Sequence, residues 1–145
     1  MTAKAAFAAV AFAALITLQL NTAHAEGEVT SPFGWRIHPV TGVASFHSGV
    51  DLAYEEGTPI APLTGGIVVF AGSWGNYGNC VIVEHENGDC TLYGHLSAIL
   101  AEEDATVDNH TALGLVGSTG LSTGPHLHLE WWHDGYYCDP AEFVE

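Results

Sequence analysis

The sequence predicts a single β-dominated domain with little helix. Three observations lead to this prediction: several short apolar or alternating stretches, 17 glycines among 145 residues, and almost no helical periodicity. Short strands separated by glycine-rich turns are typical of all-β domains. Residues 26–145 have the length of one domain and contain no internal repeat, so we predict one domain over that range.

Residues 1–25 are predicted to be a secretory signal peptide. Lys4 gives a positively charged start, an apolar run extends from Ala5 to Leu20, and Ala23-His24-Ala25 forms a small-residue cleavage motif. The run is short for a membrane-spanning helix. We therefore expect export to the periplasm or the cell wall, without stable membrane insertion after cleavage. An uncleaved N-terminal anchor is the alternative.

The elements of the domain can be predicted in order. Residues 27–42 are predicted to be a loop, because turn dipeptides recur there. The predicted strands cover residues 67–71, 79–85, 90–95, 112–116, 126–132 and 136–138. Asn87-Gly88 separates the second and third of these and is typical of a two-residue hairpin turn. Residues 96–103 are the one segment of the domain predicted to be helical.

Three cysteines leave one thiol unpaired in any pairing. In the predicted hairpin, Cys90 faces His85 and Cys80 faces His95. The two cysteines would then lie roughly 16 Å apart along the strand, which is too far for a disulfide. Any disulfide would therefore involve Cys138.

The charge balance excludes several classes of partner. Two basic residues are set against 17 acidic ones, and the formal net charge at pH 7 is −15. Nucleic-acid binding requires a basic surface, and so does docking on anionic lipid. We expect a monomer with neither kind of partner.

Five residues are candidates to surround one metal ion: His47, Asp51, His95, His126 and His128. Imidazole and carboxylate are the nitrogen and oxygen ligands that zinc prefers in proteins. Three protein ligands and an open fourth position would allow a metal ion to bind and activate water. The sequence therefore predicts a metal-dependent hydrolase.

The spacing of these residues sets conditions on the backbone. His126 and His128 are two residues apart, so a strand places both rings on one face, and Glu130 shares that face. Glu130 would either orient His128 or be an ordinary surface carboxylate. His47 and Asp51 would lie about 13 Å apart on a straight strand. Their joint ligation therefore predicts a bend at Gly49.

The remaining histidines have simpler interpretations. His85 is expected to make a structural hydrogen bond near the hairpin turn, and His110 and His133 are expected to be surface turn residues. His38 either lines the site or shapes its loop. A Cys80–His95 nucleophile pair is a further alternative, but it leaves the other metal-ligand candidates unexplained.

The motifs resemble those of peptidase family M23, the zinc endopeptidases of the lysostaphin or LytM type that cut peptidoglycan peptides. The similarity extends from about residue 31 to residue 140. The matching segments are Phe33-Gly34-Trp35-Arg36-Ile37-His38-Pro39, His47-Ser48-Gly49-Val50-Asp51, Gly57-Thr58-Pro59-Ile60-Ala61-Pro62, Gly78-Asn79, Thr91-Leu92-Tyr93-Gly94-His95-Leu96-Ser97 and residues 117–130. Family members usually have glycines where this chain has Asp104 and His110.

The resemblance implies an antiparallel β-sheet with long loops forming a groove. It implies that His47, Asp51 and His128 bind one Zn²⁺, and that His95 and His126 are catalytic, with His126 favoured as the base. In such sites the pKa of a bound water falls to about 7 and the scissile carbonyl is polarised.

The implied substrate is a peptide of peptidoglycan, and either a glycine bridge or a stem-peptide cross-link remains open. Two other functions also remain open. One is a non-catalytic module that binds the wall or activates another hydrolase. The other is a zinc-storing β-domain whose fourth ligand would be His38 or His126.

Overall fold

The computed structural model describes residues 27–142. The predicted signal peptide, residues 1–25, lies outside the described residues. Within the described range, no helix is long and apolar enough to span a membrane. The strands are β1 Glu28–Ser31, β2 Gly34–Ile37, β3 Ala44–His47, β4 Val50–Ala53, β5 Pro59–Ile60, β6 Gly66–Ser73, β7 Asn79–Glu84, β8 Cys90–Leu96, β9 Ala98–Ile99, β10 Thr106–Val107, β11 Gly114–Leu115, β12 Leu127–His133 and β13 Tyr136–Cys138.

The strands form one large antiparallel sheet and two small ones. In the large sheet the strand order is β1-β4-β12-β8-β7-β6-β10, and β13 pairs with the end of β12. Strands β5, β11 and β9 form a three-stranded sheet, and β2 and β3 form a separate hairpin. Between residues 27 and 142 the only helical elements are 3-10 turns at Gly75–Tyr77 and Pro140–Glu142. The predicted mainly β, antiparallel fold is therefore confirmed.

Apolar residues cover both faces of the central strands. On β7, Val81 and Val83 belong to the main core, together with Leu129 of β12. Cys80 and Ile82 point to the opposite face, into a smaller apolar cluster. This two-residue alternation follows from the pleat of a strand. A sheet that is anchored on both faces gives the site residues of β8 and β12 a rigid base.

The predicted helix at residues 96–103 is wrong. Ala98 and Ile99 pair with Leu115 and Gly114 of β11. The amide groups of Leu100 and Ala101 both donate to the carbonyl oxygen of Leu113, at 2.9 and 3.0 Å. Backbone donors that bond sideways to another segment cannot form the i to i−4 bonds of a helix. Tertiary pairing outweighs the weak local helical preference here.

The predicted loop at residues 27–42 is also corrected, because it contains two strands. β1 pairs with β4, and β2 pairs with β3. Turn dipeptides surround β2, but Trp35 and Ile37 are exposed while Gly34 and Arg36 are partly buried. Such alternation is the pattern of a strand, and it is present in the sequence over only four residues.

The predicted hairpin register is wrong by one residue at the turn. The loop has three residues, because the His85 amide donates to the Asp89 carbonyl oxygen at 2.7 Å. Gly88 adopts φ 88°, which suits a three-residue hairpin loop. Cys90 consequently pairs with Glu84 and not with His85. Cys80, Cys90 and Cys138 are free thiols.

The predicted strands after residue 66 are otherwise present with shifted ends, and residues 112–116 shorten to β11. Asp104, one of the two residues named above as a departure from the resembled pattern, adopts φ 70°. This left-handed conformation is one that Asp tolerates better than most non-glycine residues.

Candidate functional site

A groove of about 890 Å³ lies beside the β4–β12–β8 part of the large sheet. The β2–β3 hairpin forms one wall, and residues 74–77 and 121–126 contribute to the others. All five metal and catalytic candidates line this groove: His47, Asp51, His95, His126 and His128. Residues that are up to 81 positions apart in the chain thus share one space.

His47 and Asp51 meet because the chain bends between two strands. β3 ends at His47 and β4 begins at Val50, and the bend falls on Ser48 and Gly49. The His47 Nε2 to Asp51 Oδ1 distance is 3.3 Å. A Cβ atom on Gly49 would lie 2.2 Å from the carbonyl oxygen of Leu129. Only glycine therefore fits where the bend passes over β12.

Sheet pairing brings His128 to the same point. His128 of β12 is the direct cross-strand partner of Asp51 of β4. Its Nδ1 lies 2.9 Å from Asp51 Oδ1 and 3.2 Å from His47 Nε2. All three side chains are buried.

The outer nitrogens of the two imidazoles fix which atoms face the centre. His47 Nδ1 lies 2.9 Å from the Pro32 carbonyl oxygen, and His128 Nε2 lies 2.9 Å from Glu130 Oε1. These oxygens only accept hydrogen bonds, so both ring nitrogens donate. In the neutral rings, His47 Nε2 and His128 Nδ1 therefore carry lone pairs. The two lone pairs and the Asp51 carboxylate converge on one point.

This donor set fits a zinc ion. The three atoms lie within 4.8 Å of one another, at separations of 2.9, 3.2 and 3.3 Å. Zinc bonds of about 2.0–2.1 Å in tetrahedral geometry place ligand atoms roughly 3.3 Å apart. Nitrogen and carboxylate donors are also the types that zinc takes. His47, Asp51 and His128 could therefore hold a metal ion.

His95 enters the groove from a strained position on β8. Between the pairs Asn79–Leu96 and Val81–Tyr93 the register shifts, and His95 has φ 61°. Bulges of this kind turn a side chain away from its regular direction and are common beside active sites. His95 Nδ1 donates to the Thr119 carbonyl oxygen at 2.7 Å. Burial lowers the pKa of His95 to about 4, which favours the neutral ring.

His126 lies beside His95, with ring centroids 4.7 Å apart. Its Nδ1 donates to the Gly124 carbonyl oxygen at 2.8 Å. Its Nε2 lies 3.6 Å from Asp51 Oδ1. Both His95 and His126 thus direct Nε2 into the groove, where each can accept a proton.

Glu130 is fully buried. Of its two predicted roles, that of an ordinary surface carboxylate is therefore wrong. It accepts hydrogen bonds from His128 Nε2 at 2.9 Å, Tyr77 OH at 2.8 Å, Trp132 Nε1 at 2.7 Å and Ser48 Oγ. Four donors on one buried carboxylate hold the His128 ring in place. The position of Tyr77 beside Glu130 has no signal in the sequence.

The carboxylates of the site are held in the charged form. Burial raises the pKa of Asp51, but when His128 and His47 are protonated their hydrogen bonds and positive charge outweigh the effect of burial, and the net pKa is lowered. Burial likewise raises the pKa of Glu130, and hydrogen bonding to His128 makes the net shift downward. For His128, burial lowers the pKa, and hydrogen bonds to Asp51 and Glu130 raise it overall. The two carboxylate shifts maintain negative charge where a cation would bind.

Arg36 is a groove residue that the sequence showed only as part of a motif. It lies on β2 opposite Ser45 of β3. Its Nη1 is 3.9 Å from Asp51 Oδ2, and its side chain is 17% exposed. The signal that could have singled it out is that Lys4 is the one other basic residue in the sequence.

The remaining histidines lie as follows. His85 is buried and hydrogen-bonded to Gly65 and Thr91, which confirms a structural role. His110 and His133 are exposed, as predicted, but only His110 lies in a turn, because His133 ends β12. His38 was predicted either to line the site or to shape its loop, and it does both. It lines the groove, and its Nδ1 accepts hydrogen bonds from the loop amides of Val40 and Thr41.

Comparisons with known proteins agree with this geometry. Peptidase family M23 matches residues 45–140. The chain is 44% identical over 113 residues to the DD-carboxypeptidase/endopeptidase Mpg of Neisseria meningitidis, covering 78% of this chain and 26% of that protein. It is 42% identical over 95 residues to the peptidoglycan DD-endopeptidase ShyA of Vibrio cholerae, covering 66% and 22%. The chain thus spans about a quarter of the length of these curated relatives.

Solved structures have the same fold. The catalytic domain of the antimicrobial peptidase lysostaphin from Staphylococcus simulans aligns with a TM-score of 0.73 and 28% identity, covering 88% of this chain and 96% of that one. A zinc-containing peptidase from Vibrio cholerae aligns with a TM-score of 0.71 and 34% identity, covering 81% and 36%.

Proposed function

Since the chain belongs to peptidase family M23, we propose that it is an exported zinc-dependent endopeptidase that hydrolyses peptide bonds in peptidoglycan. The observation that carries the proposal is the convergence of two imidazole lone pairs and one carboxylate at 2.9–3.3 Å in an open groove. Relatives named as peptidoglycan DD-endopeptidases support the substrate class. The protein would act as a monomer in the periplasm or at the cell wall.

The proposed ligands are His47, Asp51 and His128. When bound, Zn²⁺ would lower the pKa of a water molecule and polarise the scissile carbonyl. Pro32 and Glu130 hold the two imidazoles with their lone pairs toward the centre. This preorganisation lowers the cost of assembling the ligand set.

His126 is the proposed general base. Its Nε2 would accept a proton from the attacking water and pass it to the leaving amine. His95 faces the same space from the other side. Because Nδ1 carries the proton of the neutral ring, His95 would donate a hydrogen bond from Nε2 to the oxyanion only after taking up a second proton from solvent, against its lowered pKa. The Thr119 and Gly124 carbonyl oxygens hold the two rings in the orientation this requires.

Zinc content and activity measured in the same variants test this division of roles. Alanine at position 47, 51 or 128 should remove both zinc and the ability to clear purified peptidoglycan. His95→Ala and His126→Ala should retain zinc and lose turnover by about 10²–10⁴-fold. A chelator should abolish clearing by the wild-type protein.

His85→Gln serves as the control, because His85 lies outside the groove and should affect neither quantity. Equal zinc content in all five site variants would contradict the assigned ligands. A folded, zinc-loaded wild-type protein that clears no peptidoglycan would favour the non-catalytic module instead.

A further inference from the structure

Arg36 places a positive charge in the groove. The full sequence has two basic residues against 17 acidic ones, and the other basic residue, Lys4, precedes the described range. Arg36 of β2 lines the groove. An anionic group that approaches this acidic protein is therefore attracted to Arg36, which lies beside the proposed metal site.

The guanidinium group is not matched by the protein around it. Its contact with a carboxylate is the 3.9 Å separation between Nη1 and Asp51 Oδ2, which exceeds hydrogen-bond distance. Its Nε is buried and has no hydrogen-bond partner among residues 27–142. Asp51 Oδ1 faces the histidines and is not directed at Arg36. A buried donor without an acceptor is unfavourable, so a partner from outside the chain would complete the site.

A carboxylate is the partner that suits this position. Guanidinium presents a planar fork of donors that matches the two oxygens of a carboxylate. Arg36 is close to Asp51, one of the proposed metal ligands, so a carboxylate bound there lies next to the bond being cut. In a peptide, the carboxyl carbon of the residue whose amine leaves is roughly 3–4 Å from the scissile carbon, as bond lengths require.

We propose that Arg36 binds the free α-carboxylate of the residue whose amine is the leaving group. The inference rests on the proposed function and specifies its substrate. The preferred bond is one whose leaving residue keeps a carboxylate on the same carbon as the amine. A cross-link to the distal amine of a diamino dicarboxylic acid meets this condition. An internal glycine bridge does not, because its corresponding carbonyl is a neutral amide.

Two synthetic cross-linked peptides that differ at one group test the proposal. In both, D-alanine acylates the distal amine of a diamino dicarboxylic acid. The carboxyl group on that same carbon is free in one peptide and a primary amide in the other. The zinc-loaded wild-type protein should cleave the free-carboxylate peptide with a kcat/KM roughly 30-fold or more above that for the amide peptide, because a site built for a charged group discriminates strongly against its neutral analogue.

The variants locate the preference at Arg36. In Arg36→Gln the ratio of the two kcat/KM values should fall to near one, mainly through a higher KM for the free-carboxylate peptide. Arg36→Lys should retain part of the ratio, because it keeps the charge and loses the fork. The ratio is taken within each variant, so partial loss of folded protein cancels. Zinc content should be the same in all of them.

Trp35→Gln is the matched control. Trp35 is the neighbour of Arg36 on the same strand, is 79% exposed and is not among the residues that line the groove. Its ratio should equal that of the wild type. A wild-type ratio near one, or a high ratio that persists in Arg36→Gln, would overturn the inference. Digestion of peptidoglycan without cleavage of either peptide would also overturn it and leave the proposed function intact. If neither peptidoglycan nor the peptides are cut, the proposed function itself fails.

Discussion

Two groups of hydrogen-bonded histidines and aspartates lie in this protein, and their ring nitrogens have different surroundings. The groove group consists of His47, Asp51, His95, His126 and His128. The structural group consists of His85, Asp89, Thr91, Tyr93, Trp131 and His133, near the turn between β7 and β8. Each of the four histidines of the groove group, and also His85, donates one ring nitrogen to an oxygen. The groups differ in what the second nitrogen meets.

In the structural group the second nitrogen is occupied. His85 Nδ1 donates to the Gly65 carbonyl oxygen at 2.8 Å, so its Nε2 accepts from the Thr91 hydroxyl at 2.9 Å. The Thr91 and Tyr93 hydroxyl groups are hydrogen-bonded to each other at 2.9 Å, and Tyr93 OH accepts from the Leu63 amide at 3.0 Å. Each donor in this series of hydrogen bonds meets one acceptor. No lone pair remains for a metal ion or a proton.

The two aspartates show the same contrast. Asp89 accepts from Trp131 Nε1 at 2.8 Å and His133 Nδ1 at 2.6 Å, so both of its oxygens face donors. Asp51 Oδ1 instead faces the lone-pair nitrogens of His47 and His128. A set of acceptors without a donor requires a cation, whereas a set of matched donors and acceptors is already complete.

The largest expected difference between the groups is in activity. His128→Gln should lose zinc and reduce peptidoglycan hydrolysis by about 10³-fold or more, since several kcal/mol of transition-state stabilisation depends on the metal. His85→Gln should lower stability and leave zinc content and kcat nearly unchanged. Metal analysis and clearing rates on both variants measure this. Comparable activity losses would show that the groups are not functionally separate.

Glu130 connects the groove to the core, so its replacement should act on both stability and metal binding. Glu130→Leu leaves the donors of Ser48, Tyr77, His128 and Trp132 without their shared acceptor. We expect the free energy of unfolding to fall by about 3–5 kcal/mol and the zinc affinity by about 10–100-fold.

Urea denaturation of the metal-free protein and a competitive zinc titration measure the two effects on Glu130→Leu. Glu130→Gln is the matched control, because it retains one acceptor oxygen and should lie between wild type and Glu130→Leu in both. Wild-type zinc affinity in a folded Glu130→Leu protein would contradict a positioning role.

Thr91→Val tests the series of hydrogen bonds in the structural group. Valine has the same shape and no hydroxyl, so His85 Nε2 and Tyr93 OH lose their partner. The free energy of unfolding should fall by about 1–3 kcal/mol, measured by urea denaturation, with unchanged zinc affinity. Thr91→Ser keeps the hydroxyl and should recover most of the loss. A Thr91→Val protein as stable as the wild type would mean that the hydrogen bonds of this series contribute no net stability.

The smallest expected effect is a pH dependence at His133. The side-chain hydrogen bond to Asp89 raises the pKa of His133, and hydrogen bonds from Trp131 and His133 lower that of Asp89. The His133 contribution is thus fully present below its unfolded pKa of about 6.5 and is lost as the pH rises through the higher folded value. The Asp89 contribution is lost as the pH falls below about 4.

His133→Gln should therefore destabilise the protein more at about pH 5.5 than at about pH 9, by the linkage above. Thermal or urea unfolding of both proteins at the two pH values checks this. Equal destabilisation at both pH values would show that the His133 contact does not depend on its charge. His110→Gln is the control, since His110 is also an exposed histidine.

The sequence by itself determined the class of fold and the members of the groove group. Alternation at His126-Leu127-His128 predicts a strand whether or not its partners are known, and Gly49 between His47 and Asp51 allows the bend that their joint use needs. These are local features, set by residue type and spacing.

Tertiary structure decided what depends on distant partners. Residues 96–103 lack a helix because their amides meet Leu113 and β11. Glu130 is buried because Ser48, Tyr77 and Trp132 surround it. The same holds for the ring nitrogens of His85, His47 and His95, whose hydrogen-bond partners lie far away along the sequence. A ring nitrogen becomes available for chemistry only when the packed chain leaves it without a donor, and that is a property of the assembled neighbourhood.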